Sequence, residues 1–292
     1  MIASGNPPPS LRAKLEARAA MIVPGAANAL SARIAEDLGF EAVYVTGAGV
    51  TNMSLGMPDL GFISLDALVQ HTALIRDAVQ LPILVDCDTG FGNALNVYHT
   101  VRRLERAGAD ALQLEDQIMP KKCGHFAGKG VITTQEMTGK IKAACDARKN
   151  RDLLIVARTD ARAIEGFDAA VERAEAYTDA GADVIFLEAP ESIDEIRAIP
   201  KRLGVPQIVN LVVGGKTPII GQAELAEMGF GMVLYANAAL QGAVLGMQRA
   251  LSSLRDNGRM DEGDGILATF EERQRLVGKP FFDQLNQRYA AE

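Results

Sequence analysis

The sequence predicts an α/β protein and, within that class, a closed (β/α)8 TIM barrel with extra C-terminal helices. Short runs rich in β-branched residues alternate with amphipathic stretches of helical length, as in a parallel sheet covered by helices. Eight such units follow one another within 292 residues, and eight units close a barrel of about 250 residues. An open doubly wound sheet is the alternative, and the absence of a GxGxxG motif after the first strand disfavours it.

The strand and helix segments can be placed in order along the chain. Eight segments have strand composition: 21–25, 42–47, 83–88, 111–116, 153–159, 184–189, 207–212 and 232–237. Five segments between them have helical periodicity: 65–79, 94–107, 134–148, 167–180 and 192–203. Two junctions, RAGADALQLED (106–116) and DAGADVIFLEA (179–189), share a glycine where a helix should end. This shared pattern supports regular helix–strand alternation rather than gene duplication.

The residues after the last predicted strand form a helical extension. The stretch AALQGAVLGMQRALSSLRD, residues 238–256, indicates a helix rich in Ala, Gly and Met. Its small residues would permit close packing against the barrel or against a second subunit, and both remain open on these grounds. The sequence therefore predicts one barrel domain over 1–292 with a C-terminal helical extension over 238–292.

Composition and charge exclude several classes of function. The net charge is −7, and no basic face is evident, which argues against a nucleic-acid partner. No apolar run approaches the roughly 18 residues of a membrane span, and the N-terminus lacks a signal-peptide core. The three cysteines have no CxxC spacing, which favours reduced thiols and predicts a cytoplasmic location.

Polar residues stand where most of the predicted strands end. In a parallel barrel these ends surround the active site. A single such residue is usually a loop cap, but residues from several adjacent strands would converge on one pocket. The residues are Thr46, Asp86, Asp88, Glu115, Asp116, Arg158, Asp160, Glu188 and Asn210.

The segment VDCDTGFGN, residues 85–93, indicates a metal site. Asp86 and Asp88 are two apart on a predicted strand and would face the same side, where their charges repel unless a cation lies between them. Oxygen ligands without a nearby histidine favour Mg²⁺, with Mn²⁺ as the alternative. Asp59 and Glu115 could complete the site by holding metal-bound water.

One of the three cysteines stands in the stretch PKKCGHFAGK. Cys123 lies beside His125 and Lys122, and neighbouring cations lower the pKa of a thiol. From the residues alone it could be a nucleophile, a proton donor or a packed thiol. Cys87 and Cys145 are expected to pack in the core and in a helix.

Four stretches resemble the isocitrate lyase/phosphoenolpyruvate mutase superfamily. They are DCDTGFGN, LQLEDQIMPKKCGHFAGK, ARTDAR and GADVIFLEA, and the similarity runs from about residue 20 to 255. The resemblance implies a (β/α)8 barrel that uses Mg²⁺ to bind a 2-oxo acid or its enolate. It also implies a homotetramer in which a C-terminal helix is swapped between subunits.

The resemblance also implies a role for each matching residue. Asp86 would contact Mg²⁺ directly, with Asp59, Asp88 and Glu115 acting largely through water. The substrate-binding residues it implies are Thr46, Gly47, Ala48, Gly124, Arg158, Glu188 and Asn210. The catalytic residues it implies are Cys123 as general acid on a mobile loop, Tyr44 as base, His125 and Arg158.

The resemblance points to a carbon–carbon lyase. Such an enzyme would cleave a 2-hydroxy dicarboxylate of the alkylmalate type to a 2-oxo acid such as pyruvate and a carboxylic acid. The alternatives are an oxaloacetate hydrolase, a carboxyphosphonoenolpyruvate or phosphonate mutase, and a non-catalytic 2-oxo acid binding protein.

Two positions depart from the pattern of the lyases. Val213 in NLVVGGKTP replaces an acidic residue, and Gln241 stands where methylisocitrate lyases carry an arginine that pairs with an extra carboxylate. Because an unpaired carboxylate is unfavourable in a buried site, the sequence disfavours a tricarboxylate substrate.

Overall fold

The computed structural model describes residues 10–122, 124 and 128–290. Eight parallel strands form a closed barrel in chain order, with the last strand pairing back onto the first. They are β1 (Met21–Ala26), β2 (Val43–Val45), β3 (Ile83–Asp86), β4 (Ala111–Glu115), β5 (Leu154–Thr159), β6 (Val184–Leu187), β7 (Gln207–Asn210) and β8 (Met232–Tyr235). The predicted barrel and its eight strands are confirmed. Cys123 and His125 lie outside the described residues.

Helices surround the barrel and extend beyond it. They are α1 (Leu11–Glu16), α2 (Ala29–Asp37), α3 (Gly47–Leu55), α4 (Leu65–Ala78), α5 (Ala94–Arg106), α6 (Thr134–Ala147), α7 (Arg162–Glu165), α8 (Phe167–Asp179), α9 (Ile193–Arg202), α10 (Gln222–Met228), α11 (Ala238–Asn257), α12 (Phe270–Leu276) and α13 (Lys279–Tyr289). The five predicted helices are present as α4, α5, α6, α8 and α9. Four of these begin at a side-chain cap, at Ser64, Asn93, Thr133 and Ser192.

The core has two layers because side chains alternate along each strand. On β2, Tyr44 points into the barrel, whereas Val43 and Val45 point outward and pack under the helices. Phe186 and Leu234 join Tyr44 inside the barrel. The barrel interior is therefore filled, and the open space lies at the ends of the strands.

The two glycine–alanine–aspartate junctions have one structural role. Asp110 accepts a hydrogen bond from the backbone N–H of Ile83 at the start of β3 (2.8 Å), and Asp183 accepts one from Ile155 in β5 (2.9 Å). Each aspartate therefore caps the start of a neighbouring strand at the N-terminal end of the barrel. The repeated pattern reflects this strand capping.

Six strands (β2, β3, β4, β6, β7 and β8) end one or two residues earlier than the sequence predicts, and the ends of β2 and β3 bear on the site. β2 ends at Val45, because Thr46 is the N-cap of α3 and its hydroxyl accepts a hydrogen bond from the backbone N–H of Gly49. β3 ends at Asp86, and Asp88 lies in the following turn with a φ of 47°. The prediction that Asp86 and Asp88 share one face of a strand is therefore wrong.

The C-terminal extension packs differently from the helices of the barrel. The predicted helix over 238–256 is present as α11, and none of its residues is buried in the protomer. Leu251 is 64% exposed on α11, and Phe270 and Phe281 are exposed further along the extension. Within the described ranges, no helix is both long and apolar enough to cross a bilayer.

Candidate active site

A pocket lies at the carboxyl ends of the strands, where the sequence predicts the site. Most of the predicted residues line it: Tyr44, Thr46, Ala48, Asp59, Asp86, Glu115, Gly124, Arg158, Glu188 and Asn210. The remaining two described residues, Gly47 and Asp88, lie directly behind Asp86. The barrel thus brings together the described residues that the sequence separates by up to about 170 positions.

Asp86 is held as an acceptor at the end of β3. Its carboxylate accepts hydrogen bonds from the backbone N–H of Gly47 (3.3 Å) and of Asp88 (3.2 Å), and from Nε2 of Gln113 (3.2 Å). A Cβ at position 47 would lie 3.0 Å from Oδ2 of Asp86. Glycine at this position therefore lets the first turn of α3 approach the carboxylate.

Lys121 joins two of the predicted metal-site aspartates. Its Nζ lies 2.5 Å from Oδ1 of Asp59 and 2.7 Å from Oδ1 of Asp88, and its side chain is 3% exposed. The local sequence around Lys121 contains no sign of this contact, because Asp59 is 62 residues away along the chain.

Two of the buried carboxylates, Asp88 and Glu115, have raised pKa values. Burial, opposed by Lys121 and reinforced by Asp86, raises the pKa of Asp88 to about 7. Burial also raises the pKa of Glu115 well above its ordinary value, although Arg158 opposes the shift. Burial thus disfavours the ionised form of both carboxyl groups, and a cation bound beside them would lower their pKa values.

Tyr44 lies inside the barrel, beneath Asp86. Its hydroxyl donates a hydrogen bond to Oε1 of Gln113 (3.1 Å). Burial first, and the charge of Asp86 second, raise the pKa of Tyr44 well above its ordinary value. The phenol is therefore a proton donor in this arrangement, and it would need a cation near Asp86 to act as a base.

Arg158 and its acidic partners form a second cluster of charged residues in the site. Its Nε and Nη2 donate to the two carboxylate oxygens of Asp160, at 2.9 and 3.0 Å. The same guanidinium lies 3.5 Å from Glu115 and 3.7 Å from Glu188, and it stacks over the ring of Phe186 at 5.2 Å. Arg158 is thereby fixed in place with a well-defined orientation toward the pocket.

Described residues of the segment between β4 and α6 lie against the pocket. The base of the segment is held by the backbone bridge between Gln117 and Val131, and its residues Lys121, Lys122 and Gly124 line the pocket. A Cβ on Gly124 would lie 2.4 Å from Oε1 of Glu188 and 2.5 Å from Nη2 of Arg158. The described part of this segment is therefore in contact with the floor of the site.

The predicted carboxylate-binding residues form the N-terminus of α3. Thr46, Gly47 and Ala48 are its N-cap and first two residues, and Thr46 and Ala48 line the pocket. Backbone N–H groups at a helix N-terminus favour anions. This geometry is suited to a substrate carboxylate, and the sequence missed the helix because its first turn is rich in glycine.

The charges of the pocket leave room for a divalent cation. Six carboxylates lie in or directly against it: Asp59, Asp86, Asp88, Glu115, Asp160 and Glu188. The described cations are Lys121, Lys122, Lys129 and Arg158, so two negative charges remain when all six carboxylates are ionised. Oε1 of Glu115 is buried without a hydrogen-bond partner among the described residues.

The donor set fits Mg²⁺ or Mn²⁺ held mainly through water. Carboxylate oxygens are the ligands these ions prefer, and Mg²⁺ commonly keeps several waters. Within the described ranges, no three Asp, Glu, His or Cys side chains converge as a ready-made coordination cage. An ion with one direct carboxylate ligand, as predicted for Asp86, does not require such a cage.

One wall of the pocket is apolar. It is formed by Phe186, Val212, Leu234 and Ala236. The departures at Val213 and Gln241 do not touch this wall: Val213 is 58% exposed and Gln241 is exposed on α11, and neither lines the pocket.

A closed parallel barrel with buried carboxylates and a fixed guanidinium in a pocket at its C-terminal end is typical of barrel enzymes. The family model described as phosphoenolpyruvate phosphomutase matches residues 11–255. The chain belongs to this family and is an enzyme, as the resemblance of its motifs predicts.

Two relatives match nearly the whole chain. The chain is 40% identical to 2,3-dimethylmalate lyase of Eubacterium barkeri, over 98% of this chain and 99% of that protein. It is 46% identical to 2-methylisocitrate lyase of Aeropyrum pernix, over 92% of this chain and 86% of that protein.

Two solved structures share the fold throughout. Oxaloacetate acetylhydrolase bound to 3,3-difluorooxalacetate superimposes with a TM-score of 0.90 at 33% identity, covering 97% of both chains. Phosphonopyruvate hydrolase in complex with oxalate and Mg²⁺ superimposes with a TM-score of 0.85 at 31% identity, covering 96% of this chain and 99% of that one.

Proposed function

We propose that this protein is a Mg²⁺-dependent carbon–carbon lyase. It cleaves a 2-hydroxy dicarboxylate of the alkylmalate type into a 2-oxo acid, such as pyruvate, and a carboxylic acid. The observation that carries the proposal is the pocket itself, in which carboxylates with excess negative charge face a fixed arginine and an apolar wall. One lyase relative acts on 2,3-dimethylmalate, which is a dicarboxylate of this kind, and the other acts on 2-methylisocitrate, which is a 2-hydroxy tricarboxylate.

The carboxylates around Asp86 and the substrate-binding groups around Arg158 have different functions in the pocket. Asp86, with Asp59, Asp88 and Glu115, would hold Mg²⁺, which when bound supplies positive charge that stabilises the oxygens of the 2-oxo acid. The first turn of α3 and Arg158 bind the substrate carboxylates. Asn210 presents a buried Oδ1 that has no hydrogen-bond partner among the described residues, and it would orient the substrate.

The cleavage step needs a base and an acid. The base removes the proton of the substrate hydroxyl, and the electrons of the O–H bond form the carbonyl of the 2-oxo acid. The bond between C2 and C3 breaks, and its electrons pass to the departing carboxylate as an enediolate. The acid then protonates C3 and completes the second product.

We assign the acid to Cys123 and the base to Tyr44. Cys123 stands in the chain between Lys122 and Gly124, which both line the pocket, and a thiol pKa can be tuned toward neutrality by cations. Tyr44 lies beside Asp86, so a cation held there would lower the raised pKa of its phenol. His125, next to Gly124 in the sequence, would support the acid.

The apolar wall favours an alkyl-substituted dicarboxylate over a tricarboxylate. Phe186, Val212, Leu234 and Ala236 can bury methyl groups, whereas an extra carboxylate against them would lose its hydration without a partner. An oxaloacetate hydrolase is the second candidate, because oxaloacetate acetylhydrolase superimposes over 97% of the chain. Phosphonate rearrangement is a third, and binding without turnover is the least favoured.

The test is release of 2-oxo acid from a panel of 2-hydroxy dicarboxylates with Mg²⁺. We expect pyruvate from an alkylmalate, and we expect Cys123→Ser to lower kcat by about 10²- to 10⁴-fold because a serine hydroxyl is a far weaker acid than a thiol. Cys145→Ser is the matched control, since Cys145 lies on α6 outside the pocket. Oxalate and acetate from oxaloacetate, without pyruvate from any alkylmalate, would replace the proposal with the hydrolase.

Assembly and location remain predictions. We propose a homotetramer with exchanged C-terminal helices in the cytoplasm, with neither nucleic acid nor membrane as a partner. The exposed apolar residues of α11 support the assembly, and the spacing of the cysteines supports the location.

A further inference from the structure

A buried lysine on α6 has no acidic partner. Lys140 is 4% exposed, and its Nζ donates to the backbone carbonyl of Thr89 at 3.2 Å. Within the part of the chain that the structure describes, no carboxylate forms a salt bridge with this Nζ. Burial lowers the pKa of Lys140, and the charge of Glu136, one turn earlier on the helix, only partly opposes this shift. Burying a cation without an acidic partner costs free energy, so packing alone does not explain this lysine.

The carbonyl that Lys140 binds belongs to a turn with a strained backbone. This turn, residues 88–92, follows β3. Asp88 and Phe91 have φ angles of 47° and 60°, in the left-handed region that residues with a side chain rarely adopt. Such conformations persist only where the surrounding structure holds them. The turn therefore depends on its contacts with the neighbouring elements.

Three elements hold three consecutive carbonyls of this turn. The carbonyl of Asp88 accepts a hydrogen bond from the backbone N–H of Glu115 in β4 (2.9 Å). The carbonyl of Gly90 accepts one from the hydroxyl of Thr100 on α5 (3.2 Å). The carbonyl between them is the one that Lys140 binds from α6. The lysine thus adds the contact of α6 to a turn that β4 and α5 hold on either side.

The turn places two groups in the acidic part of the pocket. The backbone N–H of Asp88 donates to Oδ1 of Asp86 (3.2 Å), and the carboxylate of Asp88 lies 2.7 Å from Nζ of Lys121. Both positions depend on the backbone of the turn, because Asp88 is its first residue. A shift of the next carbonyl would therefore move the N–H that orients Asp86, which is the proposed direct ligand of Mg²⁺.

We propose that Lys140 is a positioning residue that fixes the turn after β3 and thereby orients Asp86 and Asp88 toward a divalent cation. This inference rests on the proposed function, because it takes the metal site of that function as given. Lys140 does not line the pocket, and it acts on the carboxylates through the backbone. Removal of a hydrogen bond behind the ligands of a metal typically weakens metal binding about 10- to 100-fold.

The test compares Lys140→Met with Lys140→Arg and with Lys142→Met. Methionine keeps the length of the side chain and removes the donor, arginine restores a charged donor, and Lys142 is an exposed residue of the same helix. Mn²⁺ is the probe, because its electron paramagnetic resonance signal measures the free ion and gives a Kd without turnover. The melting temperature is measured on the same samples without metal.

The Kd for Mn²⁺ should rise about 10- to 100-fold in Lys140→Met and stay near the wild-type value in Lys140→Arg and Lys142→Met. The melting temperature of Lys140→Met should not fall, because an unpaired buried charge is removed together with the hydrogen bond. A lysine with only a structural role gives the opposite pair of results, a lower melting temperature with unchanged Mn²⁺ binding, and that pair would overturn the proposal.

Two further outcomes separate this inference from the proposed function. Tighter Mn²⁺ binding in Lys140→Met would overturn the inference, because the lysine would then act as a charge that competes with the metal. A wild type that binds no Mn²⁺ would overturn the metal-dependent function itself. Normal Mn²⁺ binding in both the wild type and Lys140→Met would overturn only the role of Lys140.

A second variant keeps the proposal testable if Lys140→Met does not fold. Thr100→Val removes the hydroxyl that donates to the carbonyl of Gly90 and leaves Lys140 and every charge of the pocket in place. If the contacts of the turn set the positions of the carboxylates, this variant should raise the Kd for Mn²⁺ several-fold. Wild-type affinity in Thr100→Val would overturn the link between the turn and the metal site, on which the role of Lys140 depends.

Discussion

The two ends of the barrel differ in how completely their carboxylates are paired with cations. At the N-terminal end, Asp183 caps the start of β5 and is paired with two arginines, Arg12 (3.0 Å) and Arg148 (2.5 Å). At the C-terminal end, the carboxylates outnumber the cations and Glu115 keeps a buried oxygen without a described hydrogen-bond partner. The N-terminal end is arranged for stability, and the C-terminal end retains electrostatic strain that a ligand can relieve.

This contrast is tested most strongly at Asp86. Asp86→Asn removes the proposed direct ligand, and we expect kcat to fall on the order of 10³-fold, as when a principal electrostatic group is lost. The free energy of unfolding should change little without added metal, because relief of repulsion among like charges offsets the hydrogen bonds that an amide nitrogen cannot accept. Urea denaturation and the pyruvate assay measure the two effects, and a large loss of stability with retained activity would reverse the comparison.

The extension provides a second contrast, between the helices that bury one face against the barrel and helices α11, α12 and α13, none of whose residues is buried in the protomer. Leu251→Glu should weaken assembly by about 10- to 100-fold, because it removes one buried leucine from the proposed subunit contact. Light scattering should give the wild type a mass four times the 31.1 kDa of the protomer. The matched control is Arg255→Ser, at another exposed position of α11. A wild type that is monomeric at all concentrations would contradict the prediction.

The smallest effect is expected at the N-terminal end. Asp183→Ala leaves the N–H of Ile155 without its acceptor, which should lower the free energy of unfolding by about 1–3 kcal/mol. The kcat should stay unchanged, because Asp183 lies at the opposite end of the barrel from the pocket. Thermal denaturation and the activity assay check this, and a fall in kcat without a fall in stability would show that the two ends are coupled.

The strands and longer helices could be predicted because they depend on local patterns. Runs such as LLIVART identify a buried strand by composition, and Ser64 or Thr133 marks a helix start by its side chain. The short helices α3 and α10 could not be found in this way. Each has few residues, and α3 opens with glycines that favour a turn over a helix.

The carboxylates and Arg158 could also be predicted, since strand ends converge in a barrel. The contacts of Lys121 and Lys129 could not be predicted, because their partners Asp59 and Asp160 lie 62 and 31 residues away in the chain. In the sequence, both lysines are only basic residues of the stretch PKKCGHFAGK. Long-range ion pairs leave no periodic or spacing signal in a single chain.

One feature of the fold links the pocket to the rest of the molecule. Ala236 and Asn237 line the pocket, and α11, which carries the exposed apolar residues, begins at the next residue. If a second copy covers α11, then separating the subunits would release the helix that supports this part of the pocket wall. The specific activity would then depend on enzyme concentration, and assays in very dilute solution would underestimate the catalytic rate of the intact assembly.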